Sequence, residues 1–177
     1  AARYLPGAYR IRVASREAGM IASSSGVRWP TEALKGQSNI DTLIVSDAHQ
    51  RVLWRFAFPF PLDPKAYDPN IASSGPLAGI DDLAGDGRRE VWLVSMPAVT
   101  TEPSAQALYL FDDAGTLKWT YRFTGEATFG QTRYPSPWPV ARAFITPDPA
   151  DGAGHAIWVA SHDSMLFPAV LQRVDPA

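Results

Sequence analysis

Cysteine is absent from the sequence, and histidine is scarce, with three among 177 residues. Without cysteine the chain forms no disulfides, has no thiol nucleophile and offers no Cys-ligated zinc or haem site. His49, His155 and His162 are not spaced as metal ligands, and neither a Gly-x-Ser-x-Gly elbow nor a phosphate loop before a helix is present. These absences point away from the common kinds of catalytic centre.

Strong charge and long apolar runs are missing as well. The formal net charge of −2 gives no electrostatic reason to expect nucleic acid as a partner. No apolar run approaches the ~20 residues of a membrane-spanning helix, so we expect no membrane insertion of this segment.

Turn-forming and aromatic residues are what the sequence does contain. It has 16 prolines, 13 glycines and six tryptophans, and few stretches that favour a long helix. Short β-branched and aromatic runs separated by turn residues predict an all-β fold.

Two segments of the chain read alike, at 42–56 and 107–123. In each, a β-branched or aromatic strand leads through a turn containing Asp to a second strand that carries Trp. This order predicts a β-hairpin. Trp54 and Trp119 hold the same place in the two hairpins, at an offset of 65 residues.

Two further elements repeat at almost the same offset. One is a strand that contains Trp92 or Trp158, with copies at 91–95, at 157–161 and, more weakly, at 11–15. The other precedes it, at 76–80 and 139–145. The repeating unit is therefore four short strands over about 65 residues, here called A, B, C and D, with C and D forming the hairpin.

With these labels the chain reads B-C-D, A-B-C-D and A-B-C. Tandem four-stranded antiparallel units are the composition of β-propeller blades. We predict one domain, 1–177, that is an incomplete β-propeller of about 2.5 blades with long loop insertions. Its parts are an N-terminal arm with the first strand and two repeat units, the last truncated: 1–40, 41–106 and 107–177. The alternative is a single β-sandwich whose strands are similar by accident.

Two stretches resemble known blade families. The Asp/Gly-rich loop and strand at 79–91 resemble the FG-GAP or VCBS repeat. The hairpin 107–123, with its Asp, its Gly turn and Trp119, is similar to the PQQ-type quinoprotein blade. The quinoprotein cofactor is not expected here, because its binding needs a closed propeller with ligands from several blades.

The FG-GAP and VCBS resemblance implies a calcium site. The matching ligand positions are Asp82, Asp86, Glu90 and the backbone carbonyl of Arg88. Ala84 stands where the family places Asn or Asp, so one of the oxygen ligands that Ca²⁺ favours is missing. The alternative is a turn whose carboxylates bond their own backbone N–H groups.

Aromatic residues outside the repeated strands are candidates for binding. Tryptophans at a fixed place in each unit predict packing between neighbouring units. Trp29 and Trp138 instead stand beside prolines in predicted loops, and Tyr134 lies in the same loop as Trp138. Because loop aromatics suit recognition, these three residues are the predicted ligand- or partner-binding positions.

The run Ser161-His162-Asp163 contains the residue types of a hydrolase triad. Adjacent residues of a strand point to opposite faces and cannot form the required relay. We therefore predict no catalytic residue in this segment.

Repeat architecture and loop aromatics together predict a non-catalytic module that binds or senses a protein or small ligand. We expect it to belong to a larger extracytoplasmic protein, periplasmic or extracellular, and its exposed blade edges to permit homo-oligomers. The alternative is a fragment of a propeller enzyme, quinoprotein or hydrolase-like, whose active residues lie outside this segment.

Overall fold

The computed structural model describes residues 10–14, 40–67, 76–98, 105–148, 154–164 and 167–176. Within these ranges every regular element is a β-strand except one 3₁₀ turn, Pro64–Tyr67. The strands are β1 (Arg10–Ala14), β2 (Ile40–Ser46), β3 (Val52–Leu62), β4 (Ala78–Asp81), β5 (Glu90–Val94), β6 (Leu108–Phe111), β7 (Leu117–Tyr121), β8 (Ala127–Phe129), β9 (Thr132–Tyr134), β10 (Val140–Pro147), β11 (His155–Ser164) and β12 (Phe167–Val174). The all-β prediction is confirmed.

The strands form three open antiparallel sheets and one separate hairpin, β8–β9. Chain order equals spatial order in every sheet. The first sheet is β1-β2-β3, the second is β4-β5-β6-β7 and the third is β10-β11-β12. These orders agree with the predicted strand sequences B-C-D, A-B-C-D and A-B-C. None of the helices in the described part of the chain is long and apolar enough to cross a membrane.

Burial explains which strands are central. Every residue of β5 and β6 is buried, so both strands read as short apolar runs without polar alternation. β3 lies at the edge of the first sheet and contains Pro59 and Pro61. Proline is tolerated there because an edge strand has amides that need no partner in the sheet.

The two predicted hairpins share one register. Val45 lies opposite Trp54 in β2–β3. Leu110 lies opposite Trp119 in β6–β7. In both hairpins the register shifts directly after this pair, so even the irregularity is repeated at the offset of 65 residues.

The turns of the two hairpins are also equivalent. Oδ1 of Asp47 accepts hydrogen bonds from the amides two and four residues later, at 2.8 and 3.0 Å. Oδ1 of Asp112 does the same at 3.0 and 2.7 Å. Gln50, with φ 66°, and Gly115, with φ 87°, take the left-handed position of each turn. In both units the aspartate stabilises the turn, because its carboxylate accepts hydrogen bonds from backbone amides that have no other acceptor in so tight a loop.

The third sheet continues the same scheme. In the second sheet Trp92 lies opposite Leu110. In the third sheet Trp158 lies opposite Arg173, which is therefore the equivalent of Leu110. Asp175 then follows β12 at the place where the turn aspartate follows β2 and β6.

The weakest copy of strand B is shifted by one residue. β1 places Ile11 opposite Val45, whereas β5 places Trp92 opposite Leu110. Since Val45 and Leu110 are equivalent, Ile11 is the structural equivalent of Trp92. The sequence comparison aligns Arg12 with Trp92, and that alignment is wrong because a short, weakly patterned strand does not define its own register.

The core lies between the sheets. Aromatic side chains of β3 pack on β6, with ring centroids 5.4 Å apart for Trp54 and Phe111 and 4.8 Å apart for Phe56 and Phe111. Phe58 meets Tyr109 edge to face at 5.1 Å. Packing of a repeated tryptophan against the next unit is therefore observed for Trp54.

The second sheet meets the third through equivalent positions. Tyr121 corresponds to Phe56, and Gln172 corresponds to Tyr109. The Tyr121 hydroxyl donates a hydrogen bond to Oε1 of Gln172, where the first two sheets have a ring contact. At both interfaces the D strand of one sheet, β3 or β7, faces the C strand of the next sheet, β6 or β12.

Tyr67 fixes the loop after β3 to the second sheet. Its hydroxyl donates to the carbonyl oxygen of Val94 and accepts from the amide of Met96, both at 2.8 Å. The phenol is protonated at neutral pH, and burial raises its pKa further, so the group stays a donor in alkaline solution as well.

Candidate functional sites: the acidic loop and the aromatic hairpin

The acidic loop, residues 82–89, is a series of aspartate-capped turns. Oδ2 of Asp82 accepts a hydrogen bond from the amide of Gly87 at 2.9 Å. Oδ1 of Asp86 accepts one from the amide of Arg88 at 2.8 Å. Gly85 and Gly87 have φ values of 71° and 86°, in the left-handed region that few residues other than glycine adopt. The carboxylates thus stabilise the loop's own backbone.

Glu90 lies at the start of β5 and is buried. Its Oε2 accepts a hydrogen bond from the amide of Leu83 at 3.0 Å. Its Oε1 lies 3.8 Å from Nζ of Lys118 on β7. These partners offset the cost of burying a carboxylate. Because one of them belongs to the loop and the other to β7, Glu90 also joins the acidic loop to the sheet.

The predicted calcium ligands do not converge. Among the residues with described positions, no group of three or more His, Cys, Asp or Glu side chains could hold a metal ion. Asp82, Asp86 and Glu90 bind loop amides instead, as the turn interpretation expects, and Oδ1 of Asp82 is buried without a partner. As placed, these side chains and Arg88 do not fit a calcium site, and calcium stays a prediction from the resemblance alone.

The acidic loop contacts the third sheet. The amide of His155, the first residue of β11, donates to the carbonyl oxygen of Leu83 at 2.9 Å. Nδ1 of His155 lies 2.9 Å from the carbonyl oxygen of Asp82. A carbonyl only accepts, so this contact places the ring hydrogen on Nδ1. The acidic loop is therefore a link between the second and third sheets, a role that no local sequence signal indicates.

The β8–β9 hairpin projects from the loop between the second and third sheets. Its tip carries Phe129, which is 44% exposed. The Phe129 ring centroid lies 6.0 Å from that of half-buried Tyr134, and Arg133 forms an ion pair with Glu126 across the hairpin. Phe129 and Tyr134 therefore form a partly exposed aromatic patch on one face of the hairpin, and Arg133 lies on the other face. Sequence reasoning missed Phe129, because no proline flanks it.

Trp138 is not exposed, which corrects its expected role as a rim aromatic. Only 1% of its surface is accessible, and its ring lies 4.6 Å from that of Phe123. Its indole N–H donates to the carbonyl oxygen of Pro135 at 2.9 Å, and its amide donates to Phe123 at 3.1 Å. Trp138 is therefore a core residue, and its contact with Phe123 joins the two ends of the segment that contains the β8–β9 hairpin. Trp29 lies outside the described residues.

Residues 161–163 follow the alternation expected of a strand. They belong to β11, where Ser161 lies opposite Val170 and His162 lies opposite Ala169. Neighbouring side chains of the strand point to opposite faces, so the three groups do not form a triad.

Comparison with known proteins assigns no family. No protein-family model matches the chain, and neither the curated proteins nor the solved structures contain a significant match. The likeness to FG-GAP, VCBS and quinoprotein blades rests on the motifs alone.

Proposed function

We propose that the three sheets are consecutive blades of a β-propeller, and that the chain is a non-catalytic binding module of a larger extracytoplasmic protein. The main support is the repeated geometry. Two hairpins have identical registers, and the face of each sheet meets the next through equivalent strands. Tandem blades related in this way form the scaffold of a propeller, and its loops carry the binding residues.

The β8–β9 hairpin is the proposed binding surface. Phe129 offers an exposed ring, and Tyr134 supports it on the same face of the hairpin. Aromatic residues supply a large share of the binding energy in protein interfaces. The surface therefore suits a protein or small ligand that presents an apolar or aromatic group.

The blade arrangement is tested by an experimentally determined structure. The rotation that superposes the first sheet on the second should also superpose the second on the third. Two unrelated rotations would overturn the propeller and leave a set of packed sheets.

The binding surface is tested by affinity enrichment from an extracellular or periplasmic extract. A ligand retained by the unaltered protein should be retained at least tenfold less by Phe129→Ser or Tyr134→Ser. Phe144→Ser is the matched control, since Phe144 is 49% exposed but lies on β10 of the third sheet. Equal retention by all variants, or an equal loss with Phe144→Ser, would exclude the hairpin as the site.

A further inference from the structure

The two faces of the β8–β9 hairpin differ in chemistry. Residues directly opposite each other on paired strands share a face. One face, here called the aromatic face, is formed by two such pairs, Ala127 with Tyr134 and Phe129 with Thr132. Arg133 lies on the other face, opposite Thr128, and pairs with Glu126. A ligand on the aromatic face therefore meets rings and hydroxyl groups, while the charges of the hairpin lie behind them.

The aromatic face is open to water on all sides. Every residue from 128 to 133 is exposed, and Phe129 is 44% exposed. A wholly apolar group binds best in a pocket that surrounds it and removes it from water. A ligand that stacks on the Phe129 ring keeps its outer side in water instead. The ligand that suits this face therefore has one apolar side and one hydrated side.

Polar groups without charge flank the Phe129 ring. Thr132 lies directly opposite Phe129 and is exposed. Tyr134 meets the Phe129 ring edge to face and brings a phenol to the same side. Gln131, in the turn beside Thr132, adds an exposed amide. Hydroxyl and amide groups both donate and accept hydrogen bonds, so they match a ligand that carries hydroxyl groups of its own.

The base and the turn of the hairpin hold the aromatic face in place. Trp138 is buried against Phe123 at the base, where Oγ of Ser136 also donates to the carbonyl oxygen of Thr124 at 3.0 Å. Gly130, with φ 62°, takes the first position of the two-residue turn, where hairpins favour glycine. A surface fixed in advance loses little conformational entropy on binding, which favours a ligand that offers only one small face.

We propose that the aromatic face binds a neutral sugar ring whose hydroxyl groups are equatorial, as in β-linked glucose. The inference rests on the proposed function and names the ligand class of that site. Equatorial hydroxyl groups leave only C–H groups on the two sides of the sugar ring, and such an apolar side packs flat on an aromatic ring. The hydroxyl groups at the edge of the sugar then meet Thr132 and Tyr134, and its far side stays in water.

Other ligands with an apolar side suit the aromatic face less well. A nucleobase also stacks on an aromatic ring, but nucleic acid needs cations along its backbone, and Arg133 lies on the opposite face. An acidic sugar lacks a cationic partner for the same reason. An apolar protein surface would cover the Thr132 hydroxyl without offering it a hydrogen-bond partner, which costs binding energy. A neutral ring that carries hydroxyl groups avoids each of these costs.

The test is a titration of the whole protein with cellohexaose, an oligomer of β-linked glucose, followed through the NMR shifts of the backbone amides. The shifts should saturate and be confined to residues 127–134. Added salt should leave the affinity unchanged, because screening does not act on a neutral ligand. An oligomer of β-linked glucuronic acid, which has the same ring with a carboxylate, should bind at least fivefold more weakly.

Three variants separate stacking from general apolar contact. Phe129→Leu keeps an apolar side chain but removes the flat ring, so it should weaken cellohexaose binding at least fivefold. Phe129→Trp supplies a larger ring and should bind at least as tightly as the unaltered protein. Phe144→Leu is the matched control and should leave the affinity unchanged, since Phe144 is 49% exposed but lies on β10. Unchanged amide shifts outside the substituted strand show that each variant is folded.

Several outcomes would overturn the proposal. They are absence of saturable shifts, shifts centred outside the hairpin, equal binding by Phe129→Leu and the unaltered protein, and tighter binding of the acidic oligomer. Failure of the proposed function gives a different result. If cellohexaose does not bind but retention of a ligand from the extract still depends on Phe129, the hairpin remains the binding site and only the sugar is excluded. Equal retention by Phe129→Ser and the unaltered protein would exclude the site itself.

Discussion

The hairpins β2–β3 and β6–β7 share one backbone geometry but differ in what packs against their turns. Their registers and turn hydrogen bonds are the same, yet the left-handed position holds Gln50 in the first and Gly115 in the second. Gln50 is exposed. Gly115 lies directly beneath the ring of Trp54 from the preceding sheet, where a methyl group would be 2.5 Å from Cγ and Cδ2 of that ring.

The difference shows that two things restrict which residue can occupy this position: the backbone conformation of the turn and the packing of the neighbouring sheet. Turn geometry alone permits a non-glycine residue, as Gln50 demonstrates at φ 66°. Contact between sheets removes that freedom at Gly115, because no side chain fits under the indole. At Gly115, therefore, the left-handed backbone and the covering sheet both favour glycine.

The largest effect should come from Gly115→Ala. The new methyl group meets the base of the Trp54 ring and its Cβ at 3.0 Å, neither of which can move without shifting β3. Left-handed strain of roughly 1–2 kcal/mol and overpacking of roughly 1–3 kcal/mol should together destabilise the protein by about 4 kcal/mol. Urea unfolding measures the loss.

Gly87→Ala is the matched control for Gly115→Ala. Its φ of 86° is nearly the same, but no atom lies within 4 Å of an added methyl group. It should cost only the conformational strain, about 1–2 kcal/mol. Equal losses for the two variants would show that Trp54 does not rest on Gly115 in solution.

The paired substitutions Trp54→Ala and Trp119→Ala test whether the two interfaces are equivalent. Both rings are half-buried and lie against the same core. Each substitution should destabilise by about 3 kcal/mol, toward the lower end of the range for truncating buried aromatic residues. A Trp119→Ala variant as stable as the unaltered protein would break the comparison, because the second sheet would then not pack on the third as the first packs on the second.

The turn aspartates should have smaller and unequal effects. Asp112→Ala leaves two turn amides without their acceptor and should cost about 1–2 kcal/mol. Asp47→Ala should lower the melting temperature further, since Asp47 also binds the guanidinium of Arg51 at 2.8 Å. Thermal melts of both variants compare the two turns, and an equal decrease would show that the ion pair adds nothing.

Acid should reveal the same inequality. Desolvation raises the pKa of Asp47, but hydrogen bonds from Arg51 and His49 outweigh it and hold the pKa below its ordinary value of 3.8. A lowered carboxyl pKa contributes stability above pH 3.8, and that contribution is lost as pH falls through the folded-state pKa. The stability difference between the unaltered protein and Asp47→Asn should therefore shrink below pH 3.8. A difference independent of pH would exclude charge as the cause.

The hairpins could be predicted because everything that defines them is contiguous. Strand, aspartate turn and tryptophan fall within about 15 residues, and local turn chemistry fixes the register. The Asp82 and Asp86 turns are likewise local, and the turn interpretation of that loop describes them correctly.

Features that depend on distant partners could not be predicted in this way. Prolines beside Trp138 indicate a loop, but its burial comes from the ring of Phe123 and the strand-like bridge between the two residues. The hydrogen bond between the His155 ring and the Asp82 carbonyl oxygen joins residues 73 positions apart, and no sequence pattern in either segment predicts it.

The smallest effect, and the only stabilising one, should come from Gln50→Gly. A non-glycine residue in the left-handed region carries strain of about 1–2 kcal/mol, which glycine relieves at an entropic cost of about 0.5–1 kcal/mol. The net gain of about 0.5–1 kcal/mol should raise the midpoint of urea unfolding without changing its slope. Glycine would then occupy the same position in both hairpins, and the first would lack only a covering indole. No gain would mean that the Gln50 side chain stabilises its turn by as much as the strain costs, and the two turns would differ by more than what covers them.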